Sequence, residues 1–110
     1  MPLFAITARD KPDHLELRMS TRDSHLVHLR ALGERLHAAG PLLDGDGKPC
    51  GSLVIVEMDD NAEAQAFAEA DPYEKAGLFA AVDVSPWNAL IGAWVEGASE
   101  SADEGADEEE

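Results

Sequence analysis

The chain has 110 residues, 45% of them hydrophobic, a formal net charge of −15 and a single cysteine, Cys50. That length suits one domain around one core, and one cysteine excludes an intrachain disulfide; the expected cytoplasmic location is consistent with that count but does not follow from it alone. The acidic surplus argues against nucleic acid as a partner, because phosphates are held by cationic contacts.

Leu3–Ala8 alternates and predicts a first strand, which Asp10-Lys11-Pro12-Asp13 breaks. Residues Asp13–Met19 read as a helical turn or short helix. Ser20 or Thr21 then stands as an N-cap, with Asp23 in the capping-box position. A helix from about Arg22 to Ala39 follows, with Leu26, Leu29, Leu32 and Leu36 as its buried face, and Gly40-Pro41 stops it. Pro41–Asp44 reads as a short second strand and Asp44-Gly45-Asp46-Gly47 as a turn. Ser52–Met58 is the clearest strand. Its two faces, Ser52, Val54, Val56, Met58 and Leu53, Ile55, Glu57, are both largely apolar, as in a central strand. Asp59-Asp60-Asn61 supplies caps for a second helix, Ala62–Ala70, with Ala62, Ala66, Phe67 and Ala70 inward. Asp71-Pro72-Tyr73 ends that helix, because a residue before proline avoids helical geometry. A short helical turn, Glu74–Leu78, leads into a last strand, Phe79–Trp87.

The order strand, helix, strand, strand, helix, strand is the ferredoxin-like βαββαβ pattern of an α+β domain over residues 1–95. Helices cover one face of such a sheet. The apolar second face of the third strand calls for burial as well, which a symmetric homodimer provides. Residues 88–95 stay apolar and either extend the last strand or cover a partner's edge. From Glu96 the chain turns to Glu, Asp, Ala, Ser and Gly; residues 96–110 hold eight acidic and no basic residues and read as a disordered tail. The first 95 residues carry a net −7, and six of the eight basic residues lie within the first 35. The opening Met1–Ala5 has no basic region and no long apolar core, so no signal peptide is expected. No apolar run approaches the ~20 residues of a membrane span.

Arg18-x-x-x-Arg22-x-x-His25-Leu26, Ala39-Gly40-Pro41, Gly51-Ser52, Asp71-Pro72-Tyr73, Ala76-Gly77-Leu78-Phe79 and Val84-Ser85-Pro86-Trp87 occur in one order along the chain. Over about residues 1–90 that ordered set resembles the YciI-like (YCII-related) family. The resemblance implies a dimeric α+β barrel built from ferredoxin-like protomers, and a site that pairs His25 with Asp71. It does not imply a defined reaction.

Imidazole titrates near neutral pH and moves protons in either direction. A carboxylate partner fixes its tautomer. One reading makes His25 a general acid/base oriented by Asp71; the other makes the pair a structural hydrogen bond, with Asp71 serving backbone amides of its own turn. Arg18 and Arg22, four apart, suit a carboxylate or phosphate on a small ligand, or else salt bridges to Asp13, Glu16 or Asp23. Ser52 is a hydrogen-bonding group for a ligand, with nothing local to make it a nucleophile. Tyr73 either closes the pocket or packs in the core. His14, His28 and His37 lack any metal-ligand spacing, so no metal is expected. There is no glycine-rich phosphate loop or dinucleotide fingerprint, so no cofactor is expected. Two functions follow: a small cofactor-free enzyme for isomerisation, elimination or hydrolysis of an anionic or aromatic metabolite, or a non-catalytic small-molecule-binding or accessory module.

Overall fold

Every strand of the computed structural model, which describes residues 2–94, joins one antiparallel sheet. In chain order the elements are β1 Leu3–Asp10, α1 Leu15–Arg30, a 3-10 turn Gly33–Arg35, β2 Leu36–Leu43, β3 Pro49–Glu57, α2 Asn61–Glu69, α3 Pro72–Lys75 and β4 Phe79–Trp87. The sheet order is β2-β3-β1-β4. The architecture is ferredoxin-like α+β.

Strand alternation sets which side chains meet the helices. Phe4 and Ile6 pair across β1–β3 with Val56 and Val54. These four, with Leu29 of α1 and Met58, Ala64 and Ala68, form the buried core. Met58 and Leu78 are sealed from solvent, at 1% and 0% exposure. Truncating a side chain in such a position to alanine costs about 2–5 kcal/mol.

α1 differs from the sequence expectation at both ends. It begins at Leu15, so Ser20 and Thr21 lie inside it rather than capping it. The Ser20 hydroxyl donates to the Leu17 carbonyl, 3.1 Å away, the in-helix alternative open to a serine. The helix ends at Arg30, and Gly33, at φ 60°, takes the left-handed turn that redirects the chain. Leu36–Ala39 therefore belongs to β2, not to a helix, and Gly40-Pro41 lies mid-strand rather than at a helix end. Leu32 and Leu36 still pack against the core, from the turn and from β2.

The second helix is where the caps place it: the Asp60 carboxylate accepts from Glu63 N at 2.9 Å, and Glu63 Oε1 reaches back to Asp59 N at 2.6 Å. Its inward residues are Ala64 and Ala68, with Phe67 beside them; Ala62, Ala66 and Ala70 are exposed. The expected stripe is thus rotated by two residues. β3 also starts earlier, at Pro49. The Asp44–Gly47 turn forms as read, Asp44 Oδ1 accepting from Asp46 N and Lys48 N.

The second sheet face is not covered by helices. Ile55 is 6% exposed there, while Leu53 and Trp87 are 39% and 41%. A groove of about 480 Å³ on this face is lined by Leu53, Ile55, Trp87 and Trp94. The acidic segment from Glu96 lies outside the described residues.

Candidate functional site

Arg18, Arg22, His25 and Leu29 follow one another at intervals of three or four, which keeps them on one flank of α1. Arg18, His25 and Leu29 are buried. A cavity of about 230 Å³ opens beside this flank, and Arg18, Arg22, His25, Ser52 and Tyr73 all line it. Five residues singled out in the sequence therefore converge on one space from α1, β3 and α3.

Asp71 stands behind His25, where the chain passes from α2 to α3. His25 Nδ1 lies 2.9 Å from Asp71 Oδ1 and 3.1 Å from Oδ2. The two side chains are 8% and 10% exposed. A carboxylate accepts, so Nδ1 carries the proton and Nε2 of the neutral ring holds the lone pair. Nε2 has no partner among the described residues, yet no buried side-chain nitrogen or oxygen is left without one. Nε2 thus keeps access to open space, and the space His25 borders is the cavity. Asp71 also serves its own turn: Oδ1 accepts from Tyr73 N at 2.9 Å as the N-cap of α3, with Pro72 at the first helical position. Asp71 makes both contacts at once, since one carboxylate has lone pairs for both partners.

Tyr73 is 2% exposed. Its ring stacks on His25 at 3.9 Å between centroids and meets the edge of Phe79 at 5.8 Å. The Arg18 guanidinium lies 4.5 Å over the same ring. Two groups that close to one centroid do not fit on one face, so Tyr73 is held between them. Burial pushes the Tyr73 phenol above its ordinary value of 10.0, with Arg18 offsetting part of the rise. Tyr73 both packs and borders the cavity.

Arg18 is committed to a residue the sequence reading missed. Its Nε and Nη2 donate to the two oxygens of Asp10 at 2.7 and 2.9 Å, and Nη2 also donates to Ser52 Oγ at 2.9 Å. None of Asp13, Glu16 or Asp23 is its partner. Burial pulls the Arg18 pKa down, but the hydrogen bonds and charge of Asp10 outweigh it and raise it above the ordinary arginine value. The signal for Asp10 was present: Phe4, Ile6 and Ala8 face the helices, and Asp10 has the same parity in β1.

Gly51 holds Ser52 in place. A Cβ there would collide with the Ala8 carbonyl oxygen of β1 and come within 3.0 Å of Leu42 Cδ1. Only glycine lets the strands approach here, so β3 delivers the Ser52 hydroxyl close to Arg18. Arg22 is exposed at the cavity rim and forms no ion pair among the described residues.

The other histidines lie elsewhere. His28 stacks on Phe67 at 4.2 Å, with Nε2 3.0 Å from the Phe67 carbonyl, joining α1 to α2. His37 is on β2, not on a helix, and pairs with Glu57 at 3.0 Å. His14 Nδ1 donates to the Pro12 carbonyl at 2.7 Å. Among the described residues no group of three histidine, cysteine or acidic side chains is arranged to hold a metal ion. No helix among them is long and apolar enough to cross a membrane.

The family model of the YCII-related domain matches residues 2–88. Protein YciI of Escherichia coli O6:H1 is 42% identical over 97 residues, 81% of this chain and 99% of that protein. Among solved structures, 5-chloro-2-hydroxyhydroquinone dehydrochlorinase from Burkholderia phenoliruptrix AC1100, in complex with 2,5-dihydroxybenzoquinone, aligns with a TM-score of 0.74 and 36% identity. The match covers 78% of this chain and 93% of the dehydrochlorinase. A Mycobacterium tuberculosis protein aligns at TM-score 0.53 and 15% identity, covering 84% of this chain and 99% of its own, a likeness of fold alone.

Proposed function

The chain belongs to the YCII-related family, and from that premise we propose that it is a small cofactor-free enzyme whose His25 carries out general acid/base chemistry on a small, anionic or aromatic metabolite. The observation that carries this reading is the buried His25–Asp71 pair, with Nε2 unpartnered at the cavity. Asp71 holds the ring in one tautomer and stabilises the imidazolium formed when Nε2 takes a proton. The His25 and Asp71 side chains are themselves buried, so that stabilisation is stronger than between two surface groups.

The related dehydrochlorinase gives the reaction type its direction. Loss of hydrogen chloride from a hydroxylated ring needs one proton removed and one chloride released, and no oxidant. A base at Nε2 meets the first need. Arg22 supplies positive charge at the rim, and Arg18, Ser52 and Tyr73 contact the ligand from the walls. The apolar open face, with Ile55, Leu53 and Trp87, packs in this proposal against the same face of a second copy, giving the dimeric barrel. A cytoplasmic setting belongs to the same proposal.

The test is turnover of 5-chloro-2-hydroxyhydroquinone, followed by chloride release. His25→Ala and Asp71→Asn are expected to abolish release while circular dichroism and sedimentation stay unchanged. Saturable binding without turnover by the unmodified chain would replace the enzyme with a binding module.

A further inference from the structure

We infer that Asp10 is a positioning residue: through Arg18 it holds a corner of two donors, Arg18 Nη1 and the Ser52 hydroxyl, that receives a negatively charged oxygen of the ligand. The inference rests on the proposal that this cavity binds a small molecule.

The geometry is a chain of saturated bonds ending in unsaturated ones. Asp10 occupies Arg18 Nε and one proton of Nη2, and Ser52 Oγ occupies the other. The side chains of Arg18 and Asp10 are 5% and 6% exposed. Bidentate pairing of this kind fixes the guanidinium plane. Arg18 Nη1 has no partner among the described residues, yet it is not a buried orphan. It therefore borders open space, and Arg18 lines the cavity.

Ser52 Oγ gives one lone pair to Arg18. A hydroxyl in that position keeps its proton for another acceptor. No protein acceptor takes it among the described residues, and Ser52 also lines the cavity. Arg18 thus orients Ser52 as a donor and stands beside it with Nη1. Asp10 cancels the net charge of Arg18, so the corner acts by directed hydrogen bonds rather than by bulk positive potential. A carboxylate, phenolate or enolate oxygen meets that description; a neutral hydroxyl gains less, because hydrogen bonds to an ionised oxygen are roughly twice as strong.

The experiment measures dissociation constants for two probes by titration calorimetry: 2,5-dihydroxybenzoquinone, which ionises, and hydroquinone, a neutral ring of similar size. Four proteins are compared: the unmodified chain, Asp10→Asn, Ser52→Ala and the double variant. Each single substitution is expected to weaken the anionic probe about tenfold or more, and hydroquinone less than about twofold. The double variant should be little weaker than either single one, because both act on the same corner. Equal loss for both probes, or additive losses, would overturn the role of Asp10 while leaving the cavity as a binding site. Absence of saturable binding of either probe to the unmodified chain would overturn the binding proposal and this inference with it. Should Asp10→Asn not fold, Asp10→Asn with Arg18→Met removes both buried charges together. That pair carries the same comparison: a selective loss of the anionic probe supports the corner, and an unselective one contradicts it.

Discussion

Two histidine–carboxylate pairs of nearly equal length lie at different places in this molecule. His25 and Asp71 meet at 2.9 Å with side chains 8% and 10% exposed; His37 and Glu57 meet at 3.0 Å with side chains 42% and 29% exposed. The first joins α1 to the α2–α3 junction and borders a cavity. The second links β2 to β3 on the surface. Distance does not separate them. Burial does, together with the rest of the surroundings: Tyr73 stacks on His25, Asp71 accepts from the Tyr73 amide, and His25 lines the cavity. The lesson is that pairing alone does not mark a site. An exposed pair is screened by water and salt and contributes little, whereas a buried one is screened far less.

The sharpest way to separate the two pairs is turnover. His25→Ala should lower it about 10²–10⁴-fold, the usual contribution of a positioned acid/base, and His37→Ala should leave it unchanged. Stability gives the next largest contrast. Asp71→Ala removes the α3 cap and strands the His25 Nδ1 proton, which together cost about 2–4 kcal/mol by chemical denaturation. Glu57→Ala should leave the denaturation midpoint where it was. A comparable loss from both would break the distinction.

Alkaline titration probes the packing around the buried pair. The phenol of Tyr73 is raised above its ordinary 10.0 by burial. A raised folded value means stability that is complete below about the unfolded value and is lost as pH rises through the folded one. Unfolding midpoints should therefore fall above pH 10.0, and Tyr73→Phe should flatten that fall. The smallest effect belongs to the exposed pair. The hydrogen bond from His37 holds the Glu57 carboxyl below its usual 4.5. Its contribution is present above 4.5 and lost as pH falls through the lowered folded value. Added salt should erase it, and His37→Ala should abolish the salt dependence.

Much of the fold was legible in the chain, and so was the set of residues that meet around one cavity. β3 reads from its β-branched centre, α2 from Asp59-Asp60-Asn61, and β4 from Phe79 to Trp87. The first helix was misplaced because two local signals compete with tertiary ones. Ser20 and Thr21 look like caps, yet the chain is already helical from Leu15. Ala38 and Ala39 favour a helix by propensity, but pairing with Ile55 and Val54 holds them in β2. Gly33 carried the true stop. Asp10 was hidden differently: it reads as part of a strand-breaking Asp-Lys-Pro-Asp run, and only the packing of β1 against α1 brings it to Arg18. Strand parity places Asp10 on the helix side of β1, but no spacing in the sequence names Arg18 as its partner.

Chloride release from 5-chloro-2-hydroxyhydroquinone, compared between the unmodified chain and His25→Ala under one condition, tests the central claim most directly. Release by the unmodified chain and a drop of about 100-fold or more in a folded His25→Ala protein is the predicted result. Release at the same rate by both proteins would contradict it.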